Sequence, residues 1–293
     1  DLAEALDIAE GGVPVGGAQA GAFELAAEVR GDLDGGGAAE VGDAGAAASS
    51  ATASVAINAG GSLASGGGNI TLQSTGSGGI TLADNITAGA GIVRLAATNA
   101  AGAINQTAGA ITGLSLGARA GGAVTLTSAT NDVTTIAGNV SGAGNGFQYT
   151  DATTVAVGSV AAGGLFTATD GVSTSNGAIA LSTIDGALTV TNTVAATDVN
   201  AGTSTVSLTA GSLAAADNAL IIDLNATVTG TAGITLTADH MNIVSAAGGI
   251  NAGVATATLA QSQNGTAIIL GGIVADATAA TLELSASELA AIT

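Results

Sequence analysis

Phe147-Gln-Tyr-Thr-Asp151 and Phe166-Thr-Ala-Thr-Asp170 superpose with the Phe, the Thr and the Asp in register. The offset is 19 residues, and the same offset separates Asp132 from Asp151 and Asp198 from Asp217. Asp239 follows Asp217 after 22 residues, so the period is loose. A loose period of about twenty residues, with no helical pattern inside it, is what a solenoid of stacked coils writes into its sequence.

The residues between these marks read as short strands. Asn69-Ile-Thr-Leu72, Gly79-Ile-Thr-Leu82, Ala123-Val-Thr-Leu126, Ala187-Leu-Thr-Val190, Thr205-Val-Ser-Leu208, Gly233-Ile-Thr-Leu236 and Thr281-Leu-Glu-Leu284 each alternate aliphatic with small polar or acidic residues. Alternation of period two puts the aliphatics on one face of a strand. Gly78-Gly79, Asn145-Gly146, Asn176-Gly177, Asp185-Gly186 and Asn264-Gly265 supply the residues that sharp corners need.

Composition narrows the architecture further. The chain has 293 residues, 47 of them Gly, one Pro, no Cys, no Trp, and only 1% aromatics. Its core must therefore be built from Val, Ile, Leu and Ala, which suits a narrow interior of interlocking small side chains. A β-sandwich would also accept the Asn-Gly hairpin signals but uses larger core residues. The sequence predicts a right-handed parallel β-helix with coils of about 19–22 residues over 51–293. At about 4.8 Å per coil that gives roughly twelve coils and a rod on the order of 60 Å.

Residues 1–50 stand apart. Asp1, Glu4, Asp7, Glu10, Glu24, Glu28, Asp32, Asp34, Glu40 and Asp43 crowd this segment against a single cation, Arg30. It reads as an acidic Gly/Ala-rich linker or as degenerate coils, with Phe23-Glu-Leu25 and Glu28-Val-Arg30 as its candidate strands. At the other end, Ser285 with Glu288 forms a capping box, and Leu284 with Leu289 is placed to close a hydrophobic staple over a short helix.

Charge excludes several functions. The formal charge is −19, and Arg30, Arg94 and Arg119 are the only strong cations. Nucleic-acid binding needs Lys and Arg to displace counterions, and anionic membrane surfaces make the same demand. There is no apolar run of membrane-spanning length. With no Lys the glycines are turns and not a phosphate cradle, and with no Cys and one His no ordinary zinc site can form.

Two constellations carry candidate chemistry. Asp132, Asp151 and Asp170 would stack in one corner column if every coil had the length of the offset that separates them. Carboxylates about 5 Å apart repel, and calcium would relieve them, so these three are the candidate metal ligands. Turn formation by Asp is the competing reading. Gly31-Asp-Leu-Asp-Gly35 lacks the distal Glu of an EF-hand loop and reads as a solvated acidic loop. His240 follows Asp239, but neighbours on a strand point to opposite faces, so the pair is not catalytic and His240 faces solvent or a turn. Dispersed acids argue against a polysaccharide-active enzyme.

Gly67-Gly-Asn-Ile-Thr-Leu72, Ala103-Ile-Asn-Gln-Thr-Ala-Gly-Ala-Ile-Thr112, Ala123-Val-Thr-Leu-Thr127, Thr235-Leu-Thr-Ala-Asp239 and Leu284-Ser-Ala-Ser-Glu-Leu-Ala-Ala-Ile-Thr293 resemble large bacterial filamentous-haemagglutinin-like surface proteins. The resemblance covers about residues 51–293. It implies a secreted, cell-surface adhesin built on a right-handed parallel β-helix and displayed as a long fibre. The expected function is an extracellular structural or adhesive fibre element that is not an enzyme and has no organic cofactor. Its expected partners are further copies or neighbouring repeats of a longer chain, and a host or neighbour-cell glycan or protein. The alternative is a ligand-binding solenoid module for a glycan or protein. Ice binding is the weaker version, because Thr167-Ala-Thr169, Thr189-Val-Thr191 and Thr235-Leu-Thr237 recur at irregular spacing.

Overall fold

Each Ile-Thr-Leu-type segment is a strand, because alternate residues can be buried against the matching segment one coil earlier and one coil later. The computed structural model describes residues 28–29, 39–40, 46–50, 54–75, 78–164, 166–194, 198–212, 219–263, 267–272 and 281–293. Strands occur at Ile70–Ser74, Ile80–Leu82, Val124–Leu126, Leu188–Val190, Thr205–Ala210, Gly233–Thr237 and Thr281–Ser285, where the alternation places them. The expected strand Phe23-Glu-Leu25, the mark at Asp217 and the corner Asn264-Gly265 lie outside the described residues.

The strands assemble into the stacked parallel coils of a β-solenoid. One sheet has nine parallel strands, Val55–Ile57, Ile80–Leu82, Ile104–Gln106, Val124–Leu126, Phe147–Asp151, Ile179–Thr183, Thr205–Ala210, Gly233–Thr237 and Ala257–Ala260. A second sheet of seventeen strands makes the other faces. A representative coil runs Ile179–Thr183 in the first sheet, then Leu188–Val190 and Val199–Asn200 in the second, and returns at Thr205. Ala46–Ser50, Ala39–Glu40 and Glu28–Val29 also join the second sheet, so its ladder extends into the acidic segment 1–50.

Register turns the alternation into columns. Val55, Ile80, Ile104, Val124, Phe147, Ile179, Val206 and Ile234 lie opposite one another in successive strands, and all are buried to within 1%. The second sheet answers with Leu72, Leu95, Ala118, Gly138, Val172, Val199, Val228 and Ile250. Coils of different length can share these columns because the extra residues are accommodated at the corners.

Most coils are longer than the offset between Phe147 and Phe166 predicts. In the nine-stranded sheet the step is shortest from Ile104 to Val124, longer from Val55 to Ile80, and longest from Phe147 to Ile179. Longer coils are fewer, and nine ranks at about 4.8 Å span on the order of 38 Å. The register drawn from Phe147 and Phe166 is also corrected. Phe147 sits in the core between Val124 and Ile179, whereas Phe166 lies in an insert, residues 158–171, that lengthens this one coil. Their spacing therefore does not measure one turn of the solenoid.

Gly138 makes room for Phe147. A Cβ on Gly138 would lie 2.2 Å from the Phe147 ring, so the largest residue in its column is matched across the core by the smallest in the opposing one.

At the C-terminal end the capping box forms as expected. Ser285 Oγ accepts from the Glu288 backbone N–H, and Glu288 Oε2 accepts from the Ser285 N–H. Glu288 Oε1 also accepts the Ile243 N–H at 3.1 Å, tying helix Ala286–Ala290 to the coil beneath it. Of the two staple positions, Leu284 is buried and Leu289 is 36% exposed. Among the described residues no helix is long and apolar enough to cross a membrane.

Candidate functional site

Period two places Phe147, Tyr149 and Asp151 on the inward side of one strand, and all three are buried. Asp151 is thus a carboxylate at the corner of the core, fully enclosed. Its Oδ2 accepts from the Tyr149 hydroxyl at 2.5 Å and from the Val133 N–H at 3.0 Å, and its Oδ1 accepts from the Thr153 N–H at 2.9 Å. Burial pushes the Asp151 carboxyl up, hydrogen bonds from Tyr149, Thr153 and Val133 oppose that shift, and the nearby charge of Asp132 adds to it. The Tyr149 hydroxyl is pushed well up by burial and by the carboxylate beside it.

Of the three aspartates expected in a metal column, the structure brings two together. Asp132 opens strand Asp132–Val140 opposite Thr112, is exposed, and accepts the Thr153 hydroxyl at 3.0 Å. Asp170 sits in the insert, opposite Ser159 in a short antiparallel pair. The column of Asp132, Asp151 and Asp170 does not form, because Asp170 belongs to the extra residues of the longest coil. No cluster of three or more His, Cys, Asp or Glu able to hold a metal ion occurs among the described residues. The acidic loop 31–35 lies outside them.

What the aspartates do instead is tie one coil to the next. Asp198 accepts from Thr193 and, one coil on, from the Thr227 N–H at 2.9 Å. Asp239 accepts from the N–H groups of Ser262 and Gln263 at 3.0 and 2.9 Å, also one coil on. Asp151 makes the same link backwards to Val133. All three carboxylates are at most 3% exposed, and each satisfies N–H groups that a corner leaves without a ladder partner. His240 opens the strand that follows Asp239, at a half-buried position.

A second polar corner was not legible in the sequence. Gln106 and Asn131 exchange amide hydrogen bonds at 2.8 and 3.0 Å. Asn131, fully buried, also accepts the Ile111 N–H and donates to the carbonyls of Leu126 and Thr150. Isolated Asn and Gln are common in turns, and nothing in their spacing marks these two as partners.

The insert is a strap laid over the outside of the second sheet. Its hairpin pairs Ser159–Val160 with Thr169–Asp170. Phe166 and Val160 pack on Ala96, Ala137 and Ile92, forming a small core separate from the main one. A Cβ on Gly117 would lie 2.3 Å from the Phe166 ring, so that glycine is the seat for it. Arg94 donates from Nε to the Ala161 carbonyl at 2.7 Å, and Arg119 donates to the Thr169 hydroxyl at 3.0 Å. Burial lowers the pKa of both guanidinium groups. Two of the three arginines of the chain thus hold the strap in place across three neighbouring strands, Ile92–Ala97, Ile111–Ala120 and Asp132–Val140.

The outward side of the nine-stranded sheet is a regular surface. Ala56, Thr81, Asn105, Thr125, Gln148, Ala180, Ser207, Thr235 and Thr258 occupy one outward column. Thr150, Ser182, Thr209 and Thr237 form a second beside it, with the Thr150 and Ser182 hydroxyls 3.0 Å apart. Neither column contains a charged residue, in a chain of formal charge −19.

No protein-family model matches the chain, and no curated protein or solved structure does so either.

Proposed function

We propose that the chain is a structural segment of a secreted bacterial surface fibre, with adhesive contacts made from the outside of a stiff rod. The reading rests on one observation, the uninterrupted parallel ladder of nine in-register strands, which buries aliphatic columns along its length. In such a stack each coil is stabilised only by its neighbours, so length and stiffness are the properties the architecture supplies directly. The resemblance to filamentous-haemagglutinin-like proteins supports the surface location.

The strand Ala267–Gly272 supports continuation along the axis. It pairs with Thr281–Ser285 on one edge, and Ile268, Ile269 and Leu270 are 46, 46 and 63% exposed. Among the described residues no strand pairs with its other edge. An apolar strand with an open edge is a template for further pairing, either with neighbouring repeats of a longer chain or with a second copy end to end. Electron microscopy of the purified chain tests this. Rods that join end to end into filaments, and that lose this joining on Ile269→Lys, are the expected result. Isolated short rods at high concentration contradict end-to-end assembly.

A further inference from the structure

We infer that the outward side of the nine-stranded sheet is a lateral docking surface for a second copy of this chain, face to face. The inference is independent of end-to-end joining, which uses the strand Ala267–Gly272 and not this face.

Three observations carry it. The first is electrostatic. Each copy carries a formal charge of −19, so two copies repel wherever their acids meet. The outward columns from Ala56 to Thr258 hold only Ala, Thr, Ser, Asn and Gln, while Asp151 on the same sheet points inward and is buried. Contact between these columns brings no carboxylate against another, Asp84 and Asp185 lying beyond the strand ends.

The second is self-complementarity. A two-fold interface presents the same surface from both sides, so each group must be able to pair with its own kind. Hydroxyls and carboxamides are both donors and acceptors, and meet that condition where a charged patch does not. The Thr150 and Ser182 hydroxyls already pair between ranks within one copy. Small side chains on in-register strands also let two sheets approach and interdigitate at about 10 Å.

The third is area. One outward column along nine ranks at about 4.8 Å, a second along the four from Thr150 to Thr237, and their flanks cover on the order of 500 Å² per copy, or about 1,000 Å² in the pair, the least a specific interface needs. Asn105, Gln148 and Thr258 are the exposed members of the first column and are placed to reach across first.

Sedimentation analysis of the full chain carrying Ile269→Lys, which removes the end-to-end contact of strand Ala267–Gly272, tests the inference. The expected result is a concentration-dependent monomer–dimer equilibrium that shifts toward dimer as salt screens the acids. Ser207→Glu with Thr235→Glu, neighbours in one column, places carboxylates in adjacent ranks and abolishes the dimer, whereas Asn242→Glu, exposed on the other sheet, leaves it intact. Should the double variant fail to fold, Gln148→Glu with Thr258→Glu makes the same test at exposed positions. Ile269→Lys leaves the lateral dimer in place, which separates this result from the end-to-end reading. An Ile269→Lys chain that stays monomeric at all concentrations and salts overturns the inference, as does a dimer in that background unaffected by the acidic pairs. A monomer that binds neutral polysaccharide on a glycan array, and loses it in the double variant, reassigns the face and overturns it too.

Discussion

Phe147 and Gly138 show how single residues set the packing. The ring occupies the volume a side chain at Gly138 would need, so Gly138→Ala overpacks the core at a cost of about 1–3 kcal/mol. Phe147→Leu frees that space, and the double variant Gly138→Ala/Phe147→Leu is expected to be more stable than the sum of the two single losses. Urea denaturation of the four proteins measures the coupling, and simple additivity would refute the contact. Asp151 gives a second prediction at this scale. Its carboxyl holds a proton more tightly folded than unfolded, so its contribution to stability is complete below the unfolded carboxylate value of about 3.9 and is lost as pH rises through the folded value. The melting temperature of the wild type relative to Asp151→Asn should therefore fall between acidic and neutral pH. A difference that does not change with pH would exclude Asp151 as a source of pH dependence. The burial of Asp151 was readable in principle, because it shares one face of an alternating strand with Phe147 and Tyr149. Which aspartates would meet in space was not, because that depends on coil length.

Individual strands were legible, and their spacing was not. Ile80–Leu82 or Gly233–Thr237 announces itself through local alternation, which depends only on which face is buried. Coil length depends on how many residues each corner takes up, and the ladder is indifferent to that number as long as the inward columns match. The strap is the extreme case. Its Phe, Thr and Asp repeat the pattern of Phe147–Asp151, yet the hairpin is antiparallel and lies outside the solenoid. Phe166→Ala removes the anchor over Gly117 and is expected to loosen the strap while leaving the coils folded, because Phe166 packs in a small core separate from the main one. Limited proteolysis reads the effect locally: cleavage within 158–171 should speed up while the coils stay intact. Unchanged cleavage would mean the strap is held by Arg94 and Arg119 alone.

For the whole molecule, the central claim is that residues far apart in sequence fall into one straight column at the spacing of parallel strands. Thr258 stands six ranks from Asn105 on the outward side of the nine-stranded sheet, and both are exposed. Six strand spacings place the two about 29 Å apart, although more than half the chain lies between them. Spin labels at Asn105→Cys and Thr258→Cys, in a chain with no native cysteine, report that distance by pulsed electron paramagnetic resonance at dilutions where only monomer is present. The predicted result is a single narrow distribution centred at about 29 Å, the value set by stacked parallel strands. A broad distribution, or one displaced from that centre by about 10 Å or more, the scale of two strand spacings, would contradict the stacked-coil account.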